Sequence, residues 1–166
     1  GTGFAKCGGN YAGSLRAGER AEANGFAQVL WLDGVEKKYV EEGGGMNIMF
    51  KIKDKVVTPA LLGTVLPGIT RKSVIEMLKS WNIEVEERLV TLEEILTGIK
   101  NGDVEEAWCC GTAAVISPIG EFATEDEQYT IGGFKSGPLA LKLYHALTDL
   151  QFGRTEDSFG WTVRVA

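Results

Sequence analysis

The 166-residue sequence contains no uninterrupted apolar run near the ~20 residues that a helical membrane span requires, and no charged-then-apolar leader opens it. It has no block of lysines or arginines either. Lys and Arg number 17 against 23 Asp and Glu, a formal charge of −6. A phosphate-rich partner needs a basic face, so the expected partners include no nucleic acid and no membrane. The three cysteines, Cys7, Cys109 and Cys110, are odd in number and two are adjacent. That pattern is neither a disulfide framework nor a metal-ligand spacing, and it reads as buried small hydrophobes in a reducing compartment. The one histidine, His145, stands among Leu143, Tyr144 and Leu147 and reads as structural. The expectation is a soluble, cytoplasmic protein. The chain opens Gly1-Thr2-Gly3-Phe4 without an initiator methionine, which is read as a piece of something longer.

What is present argues for a folded domain. Hydrophobic residues make up 44% and charged residues 24%, close to the globular average, and the length suits one domain spanning 1–166. Glycine is in excess at 22 residues, nearly twice the usual ~7%, with no collagen period. Its clustering points to turns or to backbone lying close to a ligand.

Periodicity predicts a helix over Asn10–Asn24, then strands over Gln28–Leu32, Lys38–Glu41 and Met46–Lys53, with Asp33-Gly34 and Gly43-Gly44-Gly45 as the turns. A loop follows Val56-Val57. Thr70 is expected to cap a helix carrying Val74, Ile75, Leu78 and Trp81. Ile83–Glu86 reads as a strand, and Thr91-Leu92-Glu93-Glu94 as a capping box for a helix ended by Gly98 or Gly102. Strands are expected over Val104–Cys110 and Val115–Phe122, a hairpin turn at Glu125–Gln128 leads into Tyr129–Ile131, and a last helix runs from Pro138 to about Phe152. The acidic stretch from Glu84 to Glu94 reads as a solvated face. The fold class is α/β in the mixed, α+β sense, with meanders as well as crossovers.

Three glycine-rich segments lie beside groups capable of chemistry: Lys6-Cys7-Gly8-Gly9-Asn10-Tyr11, Glu42-Gly43-Gly44-Gly45-Met46-Asn47, and Leu66-Pro67-Gly68-Ile69-Thr70 with Gly111-Thr112-Ala113-Ala114. Backbone N–H groups at a helix start attract anions, which makes Gly68-Ile69-Thr70 a phosphate cup to which Gly111-Thr112 adds a hydroxyl. Lys6 lies in an otherwise uncharged stretch, where lost solvation would make its amine a nucleophile or base. Each also has an ordinary reading taken alone, Lys6 as a solvated terminal lysine and Glu42 as a turn carboxylate. Phosphate cup, lysine, phenol and carboxylate together are what pyridoxal phosphate requires.

The ordered motifs resemble the C-terminal, larger domain of branched-chain amino-acid aminotransferases, fold-type IV enzymes of pyridoxal 5'-phosphate. The resemblance runs from Gly3 nearly to Val163. It is carried by Ala5–Ala12, Gln28–Asp33, Glu42–Asn47, Thr58-Pro59, Leu66–Arg71, Gly111–Ala114, and the tail Gln151-Phe152-Gly153 with Gly160-Trp161. It implies the pseudo-barrel domain of the D-amino-acid-aminotransferase-like fold.

It also implies roles. Lys6 forms a Schiff base with the cofactor aldehyde and then shuttles the substrate proton. Glu42 faces the pyridine nitrogen, and Tyr11 bonds the phenolate oxygen. Leu66, Gly68, Ile69, Thr70, Gly111 and Thr112 surround the phosphate, with Asn47 among the cofactor contacts. Gly45 and Met46 line the substrate pocket, and the amides of Ala113 and Ala114 meet the substrate carboxylate. The implied reaction moves the amino group of L-leucine, L-isoleucine or L-valine to 2-oxoglutarate, giving glutamate, and the implied assembly is a homodimer.

Two departures stand out. Some animal members carry a Cys-x-x-Cys pair where Ala114 and Ser117 stand, so that redox switch is expected to be absent. Gly45 stands where some relatives place a threonine. The family's N-terminal domain, which supplies an arginine to the phosphate, would precede Gly1, so this chain alone is expected to bind cofactor weakly and to turn over slowly or not at all. Two other readings are a different fold-type IV enzyme, either a D-amino-acid aminotransferase or an aminodeoxychorismate lyase, and a non-catalytic folding or dimerisation module.

Overall fold

The computed structural model describes residues 1–165. Among them, nine strands and five helices follow one another as α1 (Gly8–Ala12), α2 (Leu15–Ala23), β1 (Leu30–Leu32), β2 (Val40–Gly43), β3 (Met46–Ile52), β4 (Lys55–Pro59), α3 (Ile69–Ser80), β5 (Glu84–Arg88), α4 (Leu92–Asn101), β6 (Val104–Gly111), β7 (Val115–Ile119), β8 (Glu121–Ala123), β9 (Gln128–Thr130) and α5 (Pro138–Gln151). The mixed α/β class is as expected. Among the described residues no helix is long and apolar enough to cross a membrane.

β3 organises the main sheet. A strand has two edges, and β6 takes one of them along the length of β3, from Asn47↔Cys110 to Ile52↔Val104. β2 and β4 must therefore share the other, β2 at Met46 and Asn47 and β4 from Phe50 to Ile52. Between them the sheet splits. There the Ile48 carbonyl accepts the Thr58 hydroxyl at 2.8 Å, so the gap leaves no buried orphan at that position. β4 and β5 are parallel, joined through α3 as the crossover that such a pair needs. The other pairs are antiparallel, and β8–β9 forms a separate hairpin.

Alternation on the strands places a core on each face. Met49, Trp108 and Cys110 pack with Val74, Leu78, Leu143 and Leu147 of α3 and α5. Ile48, Phe50, Ala107 and Cys109 pack with Ile95 of α4 and Phe122 of β8. Cys109 and Cys110, neighbours in sequence, thus belong to opposite cores.

Several expectations need correction. The first helix is two helices, because the Ser14 hydroxyl and N–H both turn back on the Tyr11 carbonyl, at 2.7 and 3.1 Å. Lys55–Pro59 is a strand that the sequence pattern alone did not suggest. Gly68, not Thr70, is the N-cap of α3, and Thr70 stands inside its first turn. Val115–Phe122 is two strands interrupted at Gly120, where an added Cβ would press on the Phe134 ring at 3.0 Å. The stretch from Glu84 to Glu94 is no simple solvated face, since half-buried Arg88 bonds Glu86 at 2.9 Å and Glu94 at 2.5 and 2.9 Å. Cys7 is exposed, unlike the other two cysteines. The capping box does form: the Thr91 hydroxyl accepts Glu94 N–H at 3.0 Å, and Gly102, with φ 78°, ends α4.

Candidate functional site

The end of the sheet where β2 and β4 part is where the predicted residues gather. Glu42 stands on β2 one residue before Gly43, and across the β2–β3 pair it faces Asn47. Cross-strand partners project to one face, so the two side chains meet. Asn47 Nδ2 donates to Glu42 Oε1 at 3.3 Å and to the Leu66 carbonyl at 2.9 Å. Glu42 is half-buried. Burial pushes its carboxyl above the usual carboxylate range, with Glu41 adding repulsion, while the Leu66 N–H and the charge of Lys6 pull the other way.

Leu66 leads into α3 through a tight turn in which Gly68 N–H donates to the Leu66 carbonyl at 2.8 Å. A Cβ on Gly68 would overlap Asn47 Oδ1, so only glycine allows the turn to lie against β3. Gly68 brings no side chain to cap the first turn of α3, and that turn holds no acidic residue. α4 is capped by Thr91, and the first turn of α5 by the distant Glu106 carboxylate. No side chain of the first turn therefore competes for the N–H groups at the start of α3, which are free to meet an anion. Ile69 is 75% exposed there, and Thr70 is half-buried beside it. Among the described residues the hydroxyls of Thr70 and Thr112 make no hydrogen bond within the protein.

The other segments reach the same rim. Cys110 pairs with Asn47, so β6 ends at Gly111 beside Met46, and a Cβ on Gly111 would lie 3.3 Å from Met46 Cγ. Thr112, Ala113 and Ala114 make the turn into β7, whose first residue, Val115, is held at φ 57°. That conformation is strained for a β-branched side chain, and such strain gathers at functional sites. Tyr11 is brought to the glycine turn, its Cε1 3.7 Å from where a Gly45 Cβ would stand. Lys6 is exposed, as its reading as a solvated terminal lysine has it and not as the reading by lost solvation would, because α1 and the segment before it bury no side chain.

The sequence marks Cys109 only as a buried small hydrophobe, which it is, and Arg71 only as the last residue of a motif. The Cys109 thiol lies under Gly43, where a Cβ would overlap its Sγ, and burial pushes it up to about 12. Arg71, 4% exposed, ties α3 to the sheet by donating to the Pro59 carbonyl and pairing with Glu87, both at 2.9 Å. Only strand register could have placed Cys109 there. Close approach of backbone to neighbouring groups explains Gly43 and Gly68, whereas Gly8 and Gly9 have open space around them.

The residues fit pyridoxal 5'-phosphate. Unfilled helix amides and two unpaired hydroxyls suit the phosphate, a half-buried carboxylate suits a protonated ring nitrogen, a primary amine lies close enough for its charge to act on that carboxylate, and a phenol stands beside Gly45. Two crevices of about 690 and 620 Å³ lie elsewhere, under α2 and beside the β3–β4 turn, and hold none of these groups.

The family model described as amino-transferase class IV matches residues 6–122. The chain is 54% identical over 166 residues to branched-chain-amino-acid aminotransferase 2 of Bacillus subtilis (strain 168), covering all of this chain and 46% of that protein. It is similar in structure to the branched-chain amino acid aminotransferase of Escherichia coli, with a TM-score of 0.80 and 32% identity over 96% of this chain and 49% of that one. The branched-chain amino acid aminotransferase from Thermobaculum terrenum in its PLP-form (holo-form) gives a TM-score of 0.74 and 30% identity over 93% of this chain and 47% of that one. The chain thus spans about half the length of the relatives it matches.

Proposed function

This chain belongs to the class IV amino-transferases, and from that premise we propose that the full protein transfers the amino group of L-leucine, L-isoleucine or L-valine to 2-oxoglutarate, using pyridoxal 5'-phosphate. The observation that carries the reading is the meeting, at one split in the sheet, of Glu42 with the uncapped start of α3, beside Lys6, Tyr11 and the Gly111 turn.

The cofactor, when bound, supplies an aldehyde to carry the amino group and a ring to accept the electron pair released at the substrate α-carbon. The chain's residues hold and orient. Amides of Ile69 and Thr70, with the Thr70 and Thr112 hydroxyls, bind the phosphate through the partial positive charge of the helix start. Leu66 and Gly68 shape that turn, and Gly111 brings Thr112 to it. Glu42 meets the ring nitrogen, and a cation there would offset the burial that favours its neutral form. Tyr11 donates to the ring oxygen. Lys6 Nζ would hold the aldehyde until the substrate amine displaces it, and the freed amine would then take the proton from the substrate α-carbon. Gly45 and Met46 line the side-chain pocket, and the amides of Ala113 and Ala114 receive the substrate carboxylate.

We place the protein in the cytoplasm as a homodimer. The three free thiols favour a reducing compartment, and α1 and α2, which bury no side chain in this chain, favour a covered N-terminal face.

The test is borohydride reduction of the full-length protein loaded with pyridoxal 5'-phosphate, followed by peptide mapping, with turnover of L-leucine, D-alanine and aminodeoxychorismate. An adduct on Lys6, lost in Lys6→Ala, with preference for L-leucine is expected. An adduct elsewhere, or none, overturns the assignment, and a preference for either other substrate moves it within the family.

A further inference from the structure

Asn47 makes contact with two parts of the site at once. It is 5% exposed. An amide nitrogen carries two hydrogens, and here one goes to Glu42 and the other to the Leu66 carbonyl. The bond to Leu66, at 2.9 Å, has ordinary length and that to Glu42, at 3.3 Å, is long, so the side chain is anchored by the loop and reaches toward the carboxylate. The same Leu66 carbonyl accepts Gly68 N–H, and Gly68 caps α3. Asn47 Oδ1 fills the place a Gly68 Cβ would take. Every polar atom of this side chain therefore lies against either the carboxylate or the turn that starts α3.

Resting on the functional reading above, we propose that Asn47 is a positioning residue that couples the Glu42 carboxylate to the phosphate-binding turn at Gly68–Thr70. The pyridine ring fixes the distance between its nitrogen and the carbon that bears the phosphate arm, so the groups gripping its two ends must keep a matching separation. Glu42 is on β2 and the phosphate turn on the far side of the β3–β4 hairpin, and β2 and β4 diverge between them. Asn47 bridges that divergence with one short, buried side chain. Without it, only the Leu66 N–H would join Glu42 to the loop that starts α3, and each grip on the cofactor would support the other less. A merely structural asparagine would serve the stability of the strand end and leave the two grips additive.

The experiment measures, in the full-length protein, the dissociation constants of pyridoxal 5'-phosphate and of pyridoxal, which lacks the phosphate. Their ratio reports what the phosphate contributes. Variants are Glu42→Gln, Asn47→Ala, Asn47→Leu and the two doubles; Asn47→Leu keeps the branched shape, removes both donated bonds without adding charge, and carries the test if the alanine variant does not fold. Glu42→Gln keeps an oxygen that can accept the Leu66 N–H, so it leaves that direct link to the phosphate turn in place. Coupling predicts that it lowers the ratio about fivefold when Asn47 is present and less than about twofold when Asn47 is replaced, while replacing Asn47 alone lowers the ratio about tenfold. A ratio indifferent to Asn47, or an equal effect of Glu42→Gln in both backgrounds, overturns the proposal and leaves the site reading standing. A parent protein that binds neither compound overturns both.

Discussion

The Glu106 carboxylate, on β6, accepts the backbone N–H of Ala140, 34 residues later at the start of α5, at 2.9 Å. Its other oxygen accepts Leu139 N–H at 3.0 Å, and Glu106 is 4% exposed. α5 begins Pro138-Leu139-Ala140 after Gly137, so no local side chain could cap it, and proline has no N–H to satisfy. The carboxylate sits at the positive end of the helix and does both tasks from across the core. Glu106→Ala would leave two buried N–H groups without partners. A loss of about 2–3 kcal/mol is expected from urea unfolding, with Glu106→Gln, which retains one acceptor, losing less. Equal stability of Glu106→Ala and the parent would show that α5 needs no cap.

Glu42 should make the cofactor-free protein sensitive to pH. Its folded pKa lies above the unfolded one, so as pH rises past the ordinary carboxylate range the unfolded chain gives up its proton first. Stability then falls with rising pH until the folded pKa is passed, and the loss persists above it. Glu42→Gln should remove this slope and raise the melting temperature at neutral pH, even though it disables the site. Thermal melts of parent and variant from pH 4 to 8 check this; parallel curves would contradict it.

Burial pushes the Cys109 and Cys110 thiols up to about 12, whereas Cys7 is exposed. The thiolate is the reactive form, so iodoacetamide at pH 8 should label Cys7 and spare the other two until denaturant is added. Peptide mapping reads the result. Labelling of Cys109 at the rate of Cys7 would mean that the strand beneath Gly43 opens readily.

Two glycines of the site should respond differently to the same change. A Cβ at Gly68 would overlap Asn47 Oδ1, whereas one at Gly45 would rest 3.7 Å from Tyr11 Cε1 in ordinary contact. Gly68→Ala should weaken pyridoxal 5'-phosphate binding about tenfold or more through the displaced turn, and Gly45→Ala should leave it within about twofold. Fluorescence titration of the two variants separates them.

The features legible without the fold were those written over a few residues. Thr91 to Glu94 spelled a capping box and formed one; Met46 to Lys53 alternated as a strand and lies within one residue of β3. The site residues were legible as motifs, and the structure places Glu42, Asn47, Leu66 and Gly68 in direct contact. Between the two readings of Lys6 the sequence does not choose, because an uncharged neighbourhood in sequence is not a buried one in space; the structure leaves it exposed. The break at Gly120 is not legible locally because the ring it lies against, Phe134, comes from a later loop.

The sequence by itself determined the mixed α/β class, the helix and strand periods, the glycine turns and the groups available for chemistry, because each depends on spacing over a turn of helix or a pleat of strand. Only the tertiary structure decided which edge of β3 each partner takes, and so where the sheet splits. It alone brought Asn47 between Glu42 and Leu66, set Cys109 under Gly43 and supplied α5 with a cap from Glu106. Those are contacts between residues far apart in the chain, and their energy depends on distance in space, which no local pattern encodes.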